Sequence, residues 1–493
     1  MVREARLVQY KWIVLSNTTV GTLMASLDAN IVIIALPTIA KQLPGTSVFI
    51  LLWILLGYAL LTSVVLLNFG RLGDMFGRVR LYTLGFAIFT VGSAMCGLSQ
   101  TGTELVLFRL VQGVGAAFLF ANSAAIITDA FPPNERGRAL GINQVSIVAG
   151  AVTGLVLGGV LTSLLGWRSI FYVNVPIGLI ATWRSYAVLR ELHRPQREHR
   201  IDWVGNLSFA GGLASILLGV TLFALGQASS GEFAALLVTG GALLVLFVWI
   251  EQRVAHPMFD LSLLRIRMFS ASLSAIFLNA LARGAFSFVM VFFLQGPPHY
   301  LSPLTAGLYL IPVSASLAII GPISGTLSDR YGSRPFAILG LLVSAAGFVW
   351  LTQITATTTW VQLVGPFILV GFGMGLFAAP NRASMMNSVP PDRRGVASGI
   401  GTTLVNTGTT LSLGMAIVVM ANALPLGSLT SIFLGGVPTS IGPVAVRHFI
   451  DATHGVFALS AGLLLVALLP AALRGPESHP TVPASPESPA PGA

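Results

Sequence analysis

Gly70-Arg-Leu-Gly-Asp-Met-Phe-Gly-Arg-Val-Arg80 is the stretch on which the fold turns. A thinner copy, Gly325-Thr-Leu-Ser-Asp-Arg-Tyr-Gly-Ser-Arg-Pro335, lies far downstream. Gly70/Gly325, Leu72/Leu327, Asp74/Asp329 and Gly77/Gly332 recur at one fixed offset, and each copy separates two long apolar runs. Glycine lets a helix end approach a neighbour and turn sharply. Aspartate at a helix end can accept hydrogen bonds from a neighbouring helix N-terminus or from arginine. Such a cluster can lock one face of a two-part molecule and release it when the parts rock, so Gly70, Asp74, Gly77, Arg78, Asp329 and Gly332 are candidate gating residues.

The apolar runs around this repeat set the class. The chain has 493 residues, 54% hydrophobic and 9% charged, with a mean hydropathy of +0.84. Soluble domains carry about a quarter charged residues, and a soluble chain this apolar would expose large greasy patches. A spanning helix needs about 20 mostly apolar residues. Such runs are found at 12–38, 49–69, 81–99, 104–128, 139–163, 170–190, 203–225, 232–252, 269–294, 304–327, 336–354, 360–380, 396–420 and 453–474. The expectation is an all-α integral membrane protein with fourteen spans.

Charge fixes the orientation. A net charge of +10 suggests nucleic-acid binding only until the charges are placed, because they cluster between spans. With the N-terminus inside, Lys41, Arg168 and Arg447 alone fall outside and Arg109 and Arg283 fall within spans; the rest of the 27 basic residues are cytoplasmic. That bias is the positive-inside rule, and it places both termini in the cytoplasm. The repeat then divides the chain into a six-helix bundle (1–190), a charged cytoplasmic linker (191–202), two extra spans (203–252), a second six-helix bundle (260–474) and a Pro/Ser/Ala-rich tail expected to be disordered (475–493). Two halves related by a repeat mark a transporter with its path between bundles.

Several classes fall away. Trp12 opens an apolar run too long for a cleaved signal peptide. Cys96 is the only cysteine, so no intrachain disulfide or CxxC site exists. The histidines lack metal-binding spacing. Gly371-Phe-Gly373-Met-Gly375 lacks a βαβ context and reads as helix packing, and no Walker motif is present. No catalytic constellation points to a membrane enzyme, and no appended domain points to a sensor.

The chain resembles the major facilitator superfamily over about residues 12–474, most closely its fourteen-helix drug:proton antiporter branch. Gly70 to Arg80 is similar to the family's loop motif G-x-L-x-D-x-x-G-R-x-x. Leu27-Asp28-Ala-Asn-Ile-Val-Ile-Ile-Ala-Leu-Pro37 resembles the branch's first-helix motif, and Arg109-Leu-Val-Gln-Gly113 with Gly115 its fourth-helix motif. Trp167-Arg-Ser-Ile-Phe-Tyr-Val-Asn-Val-Pro-Ile-Gly178 and Asp202-Trp-Val-Gly205 also resemble that branch. The resemblance implies proton coupling through Arg109, with no cofactor and the proton gradient as the driving force. The fifth helix departs from the antiporter pattern G-x-x-x-G-P-x-x-G-G. Gly150, Gly154, Gly158 and Gly159 are kept as small residues for close helix packing, but Leu155 replaces the proline and leaves strict antiport open.

Ionisable residues inside spans are costly and usually functional. Asp28 and Arg109 both fall in the outer half of their spans, within reach of one another; Asp28 is expected to bind the proton and Arg109 to tune it. Arg283 sits near mid-span beside Asn279, where it could meet an anionic or polar substrate group or pair with a carboxylate. Asn30, Tyr58, Asn122, Gln144, Asn279 and Arg283 are candidate substrate-binding residues, with Phe286, Phe288, Phe292 and Phe293 suiting a lipophilic ligand. The function expected is export of small amphipathic compounds, with a dedicated exporter of a metabolite, lipid or siderophore as the alternative. The partners expected are the substrate, protons and the lipid bilayer, with no nucleic acid; a periplasmic adaptor is not readable from the sequence.

Overall fold

The computed structural model describes residues 2–132, 135–192, 202–254, 257–390, 393–434 and 442–474. The tail (475–493) and most of the charged linker expected at 191–202 lie outside the described residues. The helices are α1 (Val2–Gln42), α2 (Val48–Phe76), α3 (Arg78–Leu98), α4 (Gly102–Ala130), α5 (Arg136–Leu165), α6 (Ser169–Tyr172), α7 (Asn174–Val188), α8 (Trp203–Ala224) and α9 (Ser230–Glu251). After a 3-10 turn at Leu261–Arg265 come α10 (Arg267–Arg283), α11 (Phe286–Gln295), α12 (Pro303–Tyr309), α13 (Ile311–Tyr331), α14 (Ser333–Leu351), α15 (Trp360–Asn387), α16 (Arg394–Ala423), α17 (Leu426–Phe433) and α18 (Pro443–Ala472). No strand occurs among the described residues.

Among the described residues, thirteen segments are long and apolar enough to cross a membrane. The sixth expected span, 170–190, is not among them. There the chain runs as α6 and α7, broken at Val173, and α7 alone has 15 residues. Helix ends also differ from the apolar runs. α15 continues to Asn387, so Arg382 lies on a helix and not in a loop. The expected outer loop 421–452 contains α17, whose Phe433 packs on Phe292 of α11 with ring centroids 4.4 Å apart. α18 starts at Pro443, ahead of its apolar run, because helices extend past the hydrocarbon layer with polar residues aboard.

The packing repeats across the two halves. α1 packs on α5, α2 on α4, α3 on α4 and α3 on α7; correspondingly, α10 packs on α16, α13 on α15, α14 on α15 and α14 on α18. The two copies of the opening motif occupy equivalent corners. α2 and α3 are joined by Gly77 alone, at φ 106 and ψ 123. α13 and α14 are joined by Gly332 alone, at φ 81 and ψ 157. A one-residue turn at positive φ is open only to glycine, which explains both positions.

α8 and α9 form a hairpin beside this pair of halves. α8 bridges them: the Asn206 amide donates to the Val64 carbonyl of α2 at 2.6 Å, while Val220 and Leu217 line the space beside Gly414 of α16. Among the described residues, α9 packs chiefly on α8. At the end of the bundle away from the arginine-rich loops, the halves touch directly. Gln295 donates to the Ile34 carbonyl at 2.8 Å, and the Leu304 amide donates to Ser163 at 3.1 Å.

Candidate functional site

Asp28 on α1 is fully buried and Arg109 on α4 is 1% exposed. Their separation in sequence is bridged by packing: α1 and α4 touch within the first half. The Arg109 Nη1 donates to Asp28 Oδ2 at 2.6 Å and to Gln112 Oε1 at 2.6 Å. Gln112 and Asn174 donate to the other carboxylate oxygen at 2.8 and 2.9 Å. Both amides also donate to Ser93 Oγ, which itself donates to the Phe171 carbonyl. The Arg109 Nε donates to the Ile54 carbonyl at 3.3 Å, and its guanidinium stacks over the Tyr58 ring at 4.0 Å. A buried ion pair survives when its remaining hydrogen-bonding capacity is met, and here the acid has three donors and the base a ring face as well.

The structure thus brings together Asp28, Arg109 and Tyr58, and adds Gln112, Asn174 and Ser93, which the sequence reading did not single out. Two of these three had a signal, since Gln112 and Asn174 lie within stretches quoted for the family resemblance. The break at Val173 between α6 and α7 sets Asn174 at a helix start, where its side chain reaches Asp28.

The other candidates are spread out. Gly150, Gly154 and Gly158 let α5 lie against α1: β-carbons there would sit 2.6, 2.6 and 2.8 Å from the carbonyl oxygens of Leu23, Leu27 and Ile31. Gly159 faces the other half, against the Pro303 carbonyl. Leu155, at the position of the missing proline, presents its carbonyl to Gly307 of α12, and α5 runs unbroken past it. Asn30 caps back onto the Ser26 carbonyl. Gln144 is half-buried on α5. Asn122 is buried and turned toward the loop motif, its carboxamide oxygen 2.0 Å from where a β-carbon on Gly73 would be. Asn279 accepts from Arg283 Nε at 3.1 Å, some distance from the Asp28 cluster along the chain of the second half.

The loop motif is tied by ion pairs in the first half. Arg78 donates to Asp74 at 2.7 Å and to both oxygens of Asp129 on α4 at 2.7 and 2.8 Å. Glu191 accepts from the Val79 amide at 3.0 Å and sits over Gly77. Arg71 turns the other way, to the Pro257 carbonyl, in the field of Glu251 and Asp202 at the ends of α9 and α8. In the second half Asp329 is exposed and makes no ion pair among the described residues. No group of metal-binding side chains occurs among the described residues.

Comparison with known proteins agrees with this architecture. The Major Facilitator Superfamily model matches residues 18–413 and 272–492. The chain is 32% identical over 400 residues to the riboflavin transporter RibZ of Clostridioides difficile, covering 81% of this chain and 86% of that protein. It is 33% identical over 399 residues to the multidrug resistance protein Stp of Mycobacterium tuberculosis, covering 81% and 74%. A solved bacterial homologue of the human lysosomal transporter Spinster, inward-facing and unoccupied, superposes with a TM-score of 0.65 at 18% identity, covering 94% of this chain and 97% of that one. With its many apolar helices and its bacterial relatives, this is a multi-pass protein of the bacterial plasma membrane. It belongs to the major facilitator superfamily, the family of transporters.

Proposed function

We propose that the chain is a fourteen-helix, proton-coupled exporter of small amphipathic compounds, working by alternating access with both termini in the cytoplasm. α6 and α7 together supply the fourteenth crossing in this reading. The observation that carries it is the sealed pair of Asp28 and Arg109. A proton arriving at Asp28 cancels the charge that Arg109, Gln112 and Asn174 all address. Arg109 is then left without its counter-charge inside a dry core, which is costly. Relief comes from moving α4 and α7 relative to α1, so protonation and rearrangement are linked. The Asp74–Arg78–Asp129 cluster is the latch that such a movement strains. Contacts between the halves at the end away from the arginine-rich loops support a state open toward the cytoplasm.

The test is drug flux in proteoliposomes under an imposed pH gradient. Asp28→Asn is expected to lower gradient-driven flux at least tenfold while leaving gradient-independent binding in place. Full coupling in that variant would sink the assignment. The name of the riboflavin transporter among the relatives favours a second reading, a dedicated exporter of one metabolite. Profiling resistance of an efflux-deficient bacterium to many compounds separates the two: a broad shift supports the first, and no shift for any compound supports the second.

A further inference from the structure

The offset that aligns Gly70 with Gly325 also aligns Asp28 with Arg283. The packing agrees, because α1 on α5 and α10 on α16 are equivalent pairs. One half therefore carries an acid, and the other a base, at matching places. Their surroundings differ. Asp28 is met by Arg109, Gln112 and Asn174. Arg283 is met only by Asn279, through Nε. Its two terminal nitrogens have no hydrogen bond among the described residues, and they are not sealed from open space. It makes no ion pair among the described residues.

The backbone is opened at the same point. α10 ends at Arg283 and α11 starts at Phe286. Ser412 of α16 takes up the freed amide of Ala285 at 2.9 Å, and Thr409 fills the space beside Gly284. A discontinuous helix at mid-membrane is tolerated where it lines a cavity or is buried in protein. A second arginine lies nearer the arginine-rich loops. Arg382 of α15 donates to Thr402 of α16 at 3.2 Å, and it too makes no ion pair among the described residues. Thr402 precedes Thr409 by two helical turns, about 10 Å along α16. Beside Arg283, Asn279 is 5% exposed, and its amide nitrogen is buried without a partner. This site is made of donors.

Deep in the two halves, the one described acid is Asp28, and its oxygens are taken. Asp74, Asp129, Asp260 and Asp329 lie at helix ends or in loops near the basic face, and Asp451 is exposed near the start of α18. A half-buried intramembrane arginine needs a counter-charge or acceptors to offset its desolvation. We propose that the cargo supplies it: Arg283, with the Asn279 amide beside it, binds a planar anionic group such as a carboxylate, and Arg382 guides that group inward along α16. This rests on the transporter reading and narrows its substrates to acids. The guanidinium fork suits a carboxylate bidentately.

Full-length protein in detergent is titrated with dansylglycine, its methyl ester and a dansyl quaternary ammonium of similar size, following dansyl fluorescence. Wild type is expected to prefer the acid over both others. Arg283→Gln is expected to weaken acid binding by about tenfold or more and to leave the ester unchanged; Arg283→Lys recovers part of the loss. Arg382→Gln is expected to slow uptake of the acid into proteoliposomes more than it weakens binding. Retained ester binding and an unchanged elution profile certify that the variants are folded. Equal binding of acid, ester and cation, no binding of the acid, or an unaffected Arg283→Gln would each overturn the proposal. Equilibrium binding needs no gradient, so an acid preference without gradient-driven flux would reject the exporter reading and leave this one standing.

Discussion

In the first half, the charge on the leading helix is closed off: Asp28 is held by Arg109, Gln112 and Asn174, and the loop at the end of α2 is tied by Arg78 to two aspartates. In the second half the same positions are open. Arg283 stands at a helix break with unbonded nitrogens, and Asp329 is exposed at the end of α13. The two halves share a backbone plan and divide the polar work. One half carries a neutral, self-contained pair, and the other offers charge to something outside itself.

The sharpest way to break this contrast is to open the closed pair. Arg109→Ala leaves Asp28 buried and unpaired, and is expected to cost about 3–5 kcal/mol of stability. Arg283→Ala has no such partner to abandon, so thermal unfolding in detergent should separate the two variants clearly. An equal loss for both would erase the distinction between the halves.

The seams between helices give a second, smaller test. Gly154→Leu must push α5 off α1, because even a β-carbon would lie 2.6 Å from the Leu27 carbonyl. Overpacking of this kind costs about 1–3 kcal/mol. Gly408→Leu meets the equivalent seam on α10 with contacts at 3.0 Å, so its loss should fall at the lower end of that range. Thermal unfolding of the two variants side by side checks the order.

The one-residue turns give the smallest difference. Gly77→Ala and Gly332→Ala each force a side chain into a positive-φ turn, at about 1–3 kcal/mol. In Gly77→Ala the Glu191 carboxylate adds to this cost, 2.7 Å from the new β-carbon. Glu191→Ala should therefore recover part of the Gly77→Ala loss and none of the Gly332→Ala loss, read by thermal unfolding.

These residues also mark what could be read in advance. Asp28 and Arg109 stood out because a charge in an apolar run is rare, and the motif copies because glycine and aspartate kept their spacing. Gln112, Asn174 and Ser93 did not, since an uncharged polar side chain in a span gives no hint of which neighbour it will meet. Asn122 illustrates the same limit: it read as a substrate contact, and it sits over Gly73 in the loop motif. The broken helices at Val173 and Gly284 were also hidden, because hydropathy averages across a break without a change in value. Arg382 was assigned to a loop because α15 outlasts its apolar run.

The α8–α9 hairpin makes the molecule lopsided toward lipid. The two halves meet along two seams, one of α2 against α16 and the other of α5 against α12 and α13. α8 lies over the first, bonded to α2 through Asn206 and packed on Gly414 of α16. The second has no comparable cover among the described residues. The α2–α16 seam is therefore screened from lipid by a hairpin, and the α5 seam is not.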